Sequence, residues 1–359
     1  MKFPLTLTAF LSMATASAAL AGWNVESFAG VGNPGFAGDF GKAVNSLIYN
    51  PFGVLRGPDK AIWFCDLGNN RIRRIRADGV MFTFAGSGRK DFSPSGTWIQ
   101  ETCFRRPSEL RFDSKGDLFV AEMGNHLVRK IDMQTGKTEI VAGTGFGGYS
   151  GDGSVATVAH LRQPQGIQFG PDGDLYICDS GNHVIRRVEM KTKNISTFAG
   201  TGSPGITPDG APIEGTPLNG PRSMEFDASG DLWLVTREGS QVLRFDMKAG
   251  CIRVIAGTGE KGFVGGLGKQ AKFNGPSGLA FDADKNVWIA DTENHAVRMI
   301  EAKTGNVLLI AGTGERGDGP DGDASKCKLS RLHGIYADSD GSIFITDSES
   351  HRIRVLRKK

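Results

Sequence analysis

One pattern returns along the whole chain at a nearly constant interval and constrains the fold more than any other feature. Its clearest copy is residues 163–202, where four short runs of apolar and β-branched residues each end at turn-forming residues. The runs are 166–169, 175–178, 183–188 and 195–199. Such runs are typical of short antiparallel strands. A single four-stranded meander buries little apolar surface, so it must pack against copies of itself. The pattern therefore predicts the blades of a propeller.

Six copies can be counted from the residues that open the first strand. These are Pro51, Pro107, Pro164, Pro221, Pro276 and Leu332, separated by 56, 57, 57, 55 and 56 residues. The fourth run ends in Ala-Gly in five copies, but the copy that opens at Leu332 reaches Lys359 before this point. Residues 25–32, at the other end of the chain, match the missing run. We therefore expect an all-β, six-bladed β-propeller whose N-terminal strand completes the last blade and leaves no free sheet edge.

The first 21 residues have the pattern of a secretory signal peptide. Met1 and Lys2 precede an apolar run that is diluted by Thr and Ser, and Ala19-Leu20-Ala21 matches the small-x-small rule for cleavage. The apolar run is too short and too polar to span a membrane. We expect cleavage near Ala21, export to the periplasm or the medium, and one domain that covers residues 22–359.

Composition excludes some classes of function without indicating one. Removing Lys2 with the signal leaves 41 Lys and Arg against 39 Asp and Glu, a balance that does not predict nucleic-acid binding. No feature demands a cofactor or a second copy, so we expect a monomer. Five cysteines are an odd number, and Cys65 and Cys178 occupy the same strand position two blades apart, beyond bonding range. No disulfide framework can be assigned.

Short motifs after the second strand carry a family resemblance. They read NNRIR, NHLVR, NHVIR, NHAVR and SHRIR, and they begin at Asn69, Asn125, Asn182, Asn294 and Ser350. In these motifs the chain resembles the NHL-repeat family, in particular exported bacterial six-bladed propellers of the broader TolB-like class. The resemblance implies the fold over nearly the whole mature chain. It implies no single activity, because such rings include protein-binding and RNA-binding platforms, peptide-amidating lyases and relatives of lactonases.

A carboxylate and an arginine recur seven residues apart in five blades. The pairs are Asp66 with Arg73, Glu122 with Arg129, Asp179 with Arg186, Asp291 with Arg298, and Asp347 with Arg354. Blade four has Thr236 and Leu243 at these positions, so acid and base are lost together. We interpret the pairs as structural partners that link adjacent strands, because a catalytic acid would need one copy in a distinct environment.

Four of the six histidines also recur at one position, four residues after the carboxylate. They are His126, His183, His295 and His351. Residues spread one per blade cannot meet at one zinc ion, whose ligands lie within about 2.0–2.3 Å of it. We interpret them as packing residues of the turn and strand. The metal sites of amidating lyases and of lactonase-like propellers cannot be placed on this chain, so we predict no metal site.

The connectors between the fourth and first strands are long and rich in Gly, Asp and Ser. In a propeller they share one face with the turns between second and third strands, and loops on a rigid scaffold are where binding usually takes place. Their acidic residues, Asp39, Asp152, Asp209, Asp318, Asp321 and Asp323, do not have the spacing of an EF-hand. We interpret them as turn formers.

Positions where one blade departs from the others give the candidate ligand-binding residues. Six are near the innermost strand, namely Glu109, Arg111, Gln165, Arg222, Glu225 and His333, and two, Arg237 and Glu238, are in the aberrant turn of blade four. They predict that a small polar ligand or a protein partner binds at the loop-rich face. Two alternatives stay open. The channel residues can be the lining of a water-filled channel, or the protein can be a hydrolase or lyase in which His333, Glu109 or Glu225 acts as acid or base.

Overall fold

A computed structural model describes residues 22–359, which form six antiparallel sheets. The predicted signal peptide, residues 1–21, lies outside the described residues, so cleavage and export stay predictions. Within residues 22–359, no helix is long and apolar enough to cross a membrane.

The strands are short, and brief 3₁₀ turns connect several of them. The strands are β1 Trp23–Ala29, β2 Pro51–Arg56, β3 Ile62–Asp66, β4 Arg71–Ile75, β5 Met81–Ala85, β6 Pro107–Phe112, β7 Leu118–Glu122, β8 Leu127–Asp132, β9 Lys137–Ala142, β10 Pro164–Phe169, β11 Leu175–Asp179, β12 Val184–Val188, β13 Ile195–Ala199, β14 Pro221–Phe226, β15 Leu232–Thr236, β16 Gln241–Asp246, β17 Cys251–Ala256, β18 Gly266–Leu267, β19 Pro276–Phe281, β20 Val287–Asp291, β21 Ala296–Ile300, β22 Asn306–Ala311, β23 Gly322–Asp323, β24 Ile335–Ala337, β25 Ile343–Asp347 and β26 Arg352–Lys358. The 3₁₀ turns are Ala43–Asn45, Leu67–Asn69, Ala156–Val158, Ser180–Asn182, Gly268–Gln270, Thr292–Asn294 and Ser348–Ser350.

The sheets confirm the six-bladed propeller predicted from the repeats. Blades 1 to 4 are the meanders β2–β5, β6–β9, β10–β13 and β14–β17. Blade 5 is β19–β22 with the short strand β18 on its outer edge. Blade 6 has the strand order β23-β1-β26-β25-β24, so the N-terminal strand β1 completes it as predicted. Its first strand begins at Ile335, three residues after the predicted opening at Leu332.

Aromatic side chains fill the space between neighbouring blades. An aromatic residue on the second strand of one blade meets the edge of the phenylalanine that ends the first strand of the next blade. The ring centroids lie 4.9 Å apart for Phe119 and Phe169, 5.1 Å for Tyr176 and Phe226, and 5.3 Å both for Trp63 and Phe112 and for Trp233 and Phe281. The apolar faces of each meander are therefore buried by its neighbours, as expected for blades that are not stable alone.

Pairing between the first and last strands closes the ring. β1 runs antiparallel to β26, with Val25 opposite Leu356, and both side chains are fully buried. The amide of Lys359 donates a further hydrogen bond to the carbonyl of Gly22 at 2.7 Å. Closure therefore rests on a full row of main-chain hydrogen bonds together with buried apolar side chains.

Deleting residues 22–31 should therefore disrupt the whole ring. A chain that starts at Gly32 leaves β26 with an unpaired edge, so we expect it to aggregate or to melt at a clearly lower temperature than a chain that starts at Gly22. Circular dichroism melting and light scattering on the two purified chains measure the difference. Equal melting temperatures would contradict closure by β1.

The recurring histidines link one blade to the next. Each follows a 3₁₀ turn or tight turn and has a left-handed backbone, with φ between 51° and 55° for the four of them. Nδ1 accepts a hydrogen bond from the amide of the residue before the next blade, from Gln163 for His126, Gly220 for His183, Arg331 for His295 and Asn50 for His351, at 3.0–3.2 Å. Asn70 makes the same bond with Oδ1, to the amide of Arg106 at 3.1 Å. We call these bonds the blade clasps.

The clasps refine two sequence-based interpretations. The histidines are spread around the ring, one per blade, as their spacing indicated, but their role is a specific hydrogen bond between blades rather than general packing. The predicted strand 183–188 begins one residue later, at Val184, because His183 adopts the left-handed conformation. In blade 4 the equivalent residue is Ser240, whose hydroxyl is buried without a partner.

The clasps make stability depend on pH. Nδ1 accepts a hydrogen bond only when it is unprotonated, and burial lowers the pKa of His126, His295 and His351. The unfolded chain, whose histidines titrate near pH about 6.5, then binds more protons than the folded chain below that pH. The stability from these groups is therefore present above pH about 6.5 and is lost as the pH falls through the lower pKa of the folded state.

Blade 1 supplies the control for this effect, because Asn70 makes the clasp without titrating. Replacing His126, His295 and His351 together by Asn should reduce the acid-induced loss of unfolding free energy by about 1 kcal/mol per clasp. Both proteins contain the same carboxylates, so the effect of carboxylate titration on stability cancels when their pH profiles are compared. Urea unfolding near pH about 7.5 and about 5 covers the range in which histidine titrates. If the unfolding free energies of the two proteins changed in parallel with pH, the clasps would not titrate.

Candidate functional site in the central channel

The five carboxylate–arginine pairs are buried ion pairs, as the sequence predicted. The distances between the charged groups are 2.5 Å for Glu122–Arg129, 2.8 Å for Asp347–Arg354, 3.2 Å for Asp291–Arg298, 3.4 Å for Asp66–Arg73 and 3.6 Å for Asp179–Arg186. Each carboxylate also accepts the amide of the second residue before its own blade, as Asp179 does from Arg162 at 2.7 Å. The pairs therefore anchor the connector to the sheet and are not placed at the channel.

Four of the six connector aspartates serve as additional partners of the buried arginines. Asp152 lies 2.6 Å from Arg186, and Asp39 lies 2.8 Å from Arg73. Arg354 contacts both Asp318 and Asp321. The interpretation of these four as turn formers alone is therefore incomplete, because each of their carboxylates offsets the charge of a buried guanidinium. Among residues 22–359, no group of three or more His, Cys, Asp or Glu side chains has an arrangement that could hold a metal ion.

Blade 4 supplies a natural control for the buried pairs. Asp179→Ala removes the carboxylate between Arg186 and the amide of Arg162, which should cost about 1–3 kcal/mol. The double variant Asp179→Thr, Arg186→Leu copies Thr236 and Leu243 and removes both charges, so it should lose less stability than the single variants Asp179→Thr and Arg186→Leu added together. Urea unfolding of these three variants and of the unaltered protein gives the coupling energy. Additive losses would show that the two residues do not act as a pair.

Three layers of residues line the central channel, because the first strands of the six blades run side by side around it. The upper layer, nearest the connectors, consists of Phe52, Ser108, Gln165, Arg222, Ser277 and His333. The middle layer, by strand position, consists of Gly53, Glu109, Gly166, Ser223, Gly278 and Gly334. The lower layer, near the opposite face, consists of Leu55, Arg111, Gln168, Glu225, Ala280 and Tyr336.

Glycine in the middle layer lets neighbouring strands approach each other closely. A Cβ atom at Gly166 would lie 2.4 Å from the carbonyl oxygen of Arg222, and one at Gly53 would lie 2.5 Å from Oε1 of Glu109. Glu109 thus occupies space that the glycine leaves free. Its Oε1 accepts a hydrogen bond from the lower-layer Arg111 at 2.7 Å, while its side chain also lines the upper layer. Glu109 therefore lies between the two ends of the channel.

Arg222 fills the upper layer. Its blade lies opposite blade 1 in the ring, yet its guanidinium carbon is only 5.4 Å from the ring centre of Phe52, so the side chain crosses the channel. Arg222 is 8% exposed and has no ion pair or side-chain hydrogen bond with any of residues 22–359. Burial, with the nearby charge of Arg237, lowers the pKa of Arg222 to about 9. A buried cation without an acidic partner is costly, which marks this position as unusual.

His333 forms the wall beside Arg222. Its ring stacks on Phe52 with the centroids 4.0 Å apart, and its Nδ1 lies 2.9 Å from the hydroxyl of Ser348. Burial, with the positive charges of Arg222 and Arg237, lowers the pKa of His333 well below its usual range. The imidazole is therefore neutral at neutral pH. The amide oxygen of Gln165 in the same layer is buried without a partner.

The charged residues above this layer neutralise one another. Arg237 pairs with Glu293 at 2.7 Å and lies 3.5 Å from Glu238. Arg331 also pairs with Glu293 at 2.7 Å and with Glu349 at 2.8 Å. These side chains form a continuous network across the turns of blades 4, 5 and 6. Arg222 is outside the network and forms no ion pair, although the charges of Glu238 and Glu109 act on it from a greater distance.

The structure places the predicted site residues at two levels of the channel. Gln165, Arg222 and His333 share a cavity of about 10 Å³ at the loop-rich end. Arg111 and Glu225 line a larger cavity of about 210 Å³ at the other end. The positions that form the two groups are offset by three residues along each first strand, which corresponds to about 10 Å along the channel. The sequence analysis did not single out Phe52, Gln168 and Tyr336, which occupy the same strand positions in other blades.

Five connectors present one large apolar side chain each at equivalent positions. We call the set the apolar crescent, and it consists of Phe36, Phe92, Tyr149, Ile206 and Phe263, which are 41–46% exposed. Tyr149 covers the buried Arg186, whose guanidinium carbon is 5.3 Å from its ring centre, and Phe263 covers Arg298 at 5.0 Å. The crescent therefore has a packing role, and its outer surface remains available to a ligand or partner.

The closed ring of six sheets around a channel defines a six-bladed β-propeller. Residues 161–187, 273–298 and 329–356 match the model of the NHL repeat. The chain therefore contains NHL repeats, as its motifs predicted. Whether it is of the exported bacterial type stays a prediction.

Other proteins share the repeat or the ring. Human NHL repeat-containing protein 2 is 26% identical over 327 residues, which cover 81% of this chain and 44% of the relative. The chain thus spans less than half of that protein. An auxiliary nutrient binding protein from Bacteroides thetaiotaomicron superposes with a TM-score of 0.69 at 16% identity, covering 94% of this chain and 76% of that one. A gluconolactonase from Xanthomonas campestris superposes with a TM-score of 0.61 at 13% identity, covering 97% and 94%. At these identities the superpositions show the fold alone.

Proposed function

We propose that the protein is a binding module that holds a small carboxylate-bearing ligand at the loop-rich end of the channel. Arg222 carries the proposal, because it is buried in the upper layer without an acidic partner while all neighbouring arginines have one. A bound carboxylate would supply the missing charge and accept a charge-assisted hydrogen bond from the guanidinium. The fold is compatible with this function, since a structural neighbour is named as a nutrient binding protein.

The size of the upper cavity restricts how a ligand can bind. About 10 Å³ is room for one water molecule, so a ligand must place its polar end at the mouth of this cavity rather than inside it. The rest of the ligand must lie on the surrounding connectors and turns, beside Arg237, Glu238 and the apolar crescent. The unpartnered oxygen of Gln165 needs a donor such as a hydroxyl group. A hydroxy acid or sugar acid has both groups, which makes this class the best match.

Arg222→Met should separate binding from stability. Because the arginine is buried without a partner, we expect the variant to melt at the same or a higher temperature than the unaltered protein. Binding of hydroxy acids and sugar acids should weaken by a factor of about ten or more, as expected for the loss of a hydrogen bond to a charged group. Calorimetry with matched neutral sugars tests the need for a carboxylate. Arg76→Met, at an exposed pair with Asp78, is the control for loss of charge.

Two results would contradict the binding site. One is full carboxylate affinity in Arg222→Met, and the other is equal affinity for neutral sugars. A clear drop in the melting temperature of Arg222→Met would instead show that the arginine is a structural residue of the channel.

The enzyme alternative rests on His333, whose neutral imidazole could act as a base beside a cationic side chain. A hydrolase would turn over lactones or esters, and His333→Ala or Glu109→Gln would lower kcat by a factor of about 100 or more. A binding module shows no turnover with any of these substrates. Turnover that either substitution abolishes without a change in stability would favour the enzyme.

A further inference from the structure

A second cavity lies at the end of the channel opposite to the connectors, where the first strands end. Its volume is about 210 Å³. An apolar cavity of about 150 Å³ is known to hold benzene, so a ring with a short side arm fits this volume. The side chains of Arg56 and Glu225 keep 29% and 28% of their surface accessible, so water reaches the cavity.

The lower layer divides the wall of this cavity into a mainly polar half and a mainly apolar half, which we call the polar and the apolar half. Blades 2, 3 and 4 contribute Arg111, Gln168 and Glu225, together with Phe112. Blades 5, 6 and 1 contribute Leu279, Ala280, Ile335, Tyr336, Val54 and Leu55, together with Arg56, whose charge is paired with Asp338. The repeat does not impose this division, because all six strands supply the same positions. A ligand that matches it has one polar group and one apolar group.

The polar half has more negative than positive charge. Arg111 is already engaged, by Glu109 at 2.7 Å and by the carbonyl of Leu110 at 2.8 Å, and it lies 3.9 Å from Glu225. The other guanidinium of the wall, Arg56, is paired with Asp338. Two carboxylates therefore share one guanidinium.

Glu225 is the less well paired of the two carboxylates, because Arg111 lies 3.9 Å from it and is hydrogen-bonded to Glu109. Among the described residues its hydrogen-bond donor is the neutral amide of Gln168. Burial raises the pKa of Glu225, and the charge of Arg111 only partly opposes this. A cation placed beside Glu225 would stabilise its ionised form.

We propose that the lower cavity binds a small primary amine that carries an apolar group. The ammonium group donates to the carboxylate of Glu225, and the apolar group packs on Leu55, Ala280 and Tyr336. The ring of Tyr336 can add a cation–π contact. Neutral or anionic molecules of the same shape lack the matching charge, so the site selects for amines.

This site is independent of the carboxylate site at Arg222. The two lie at opposite ends of the channel with Glu109 between them, and their ligands have opposite charge. Failure of one proposal therefore leaves the other unaffected, because each is measured with its own probe.

The experiment uses 2-phenylethylamine as the probe and titrates it into the purified protein by calorimetry. The matched probes are 2-phenylethanol, which is neutral, and 3-phenylpropionate, which is anionic. Glu225→Gln keeps the shape of the side chain and removes the charge, and we expect it to weaken amine binding by a factor of about ten or more. Glu139→Gln, at a side chain that is 61% exposed on β9, is the matched control and should bind the amine normally.

A substitution that fills the cavity gives a second measurement that does not depend on charge. Ala280→Leu places extra methyl groups against the apolar half, so it should also prevent amine binding while its melting curve stays cooperative. The proposal is overturned by any of three results. These are no amine binding below about 10 mM, which corresponds to almost no specific affinity, unchanged binding in Glu225→Gln, or tighter binding of 3-phenylpropionate than of the amine.

Discussion

The ring depends on two neighbouring backbone amides at the end of a connector, and both are held in this way at the entries to blades 1, 2, 3 and 6. At the entry to blade 3, the amide of Arg162 is held by Asp179 of the same blade, and the amide of Gln163 is held by His126 of the preceding blade. One dipeptide is thus bonded to two blades at once, which fixes the direction in which the innermost strand enters. Arg186 lies behind Asp179 and offsets its buried charge. The shape of the channel follows from this arrangement, because its walls are the strands that these bonds orient.

Blade 4 departs from this arrangement at its acid, its arginine and its clasp residue. Thr236 replaces the acid, Leu243 the arginine and Ser240 the clasp residue, and Gln241 bonds to Thr207 of the connector instead. The same blade places Arg222 across the channel. Local rules of a repeat are usually broken where function requires it. The loss of the buried pair and the gain of an unpaired cation therefore occur in one blade, which is the pattern expected if this blade carries the proposed binding site.

The sequence was sufficient for the fold, because the repeat interval and the strand patterns count the blades and identify the strand that closes them. It also indicated that acid and arginine are partners, since blade 4 loses both. It was not sufficient for the site. Glu225 and Arg222 are close in the chain, but they face opposite ends of the channel, and only the register of packed strands reveals this. The role of His126 was equally hidden, because its partner Gln163 is 37 residues away.

The pairing of β1 with β26 has a consequence for how the protein folds. Ser27 and Arg354 meet across 327 positions of sequence, almost the full length of the chain. Contacts between such distant segments form slowly, because a large loop must close before they contribute any stability. Until β26 is complete, β1 therefore has at most the two-residue strand β23 as a partner. During that time blade 6 is unfinished, and two open sheet edges can pair with other chains.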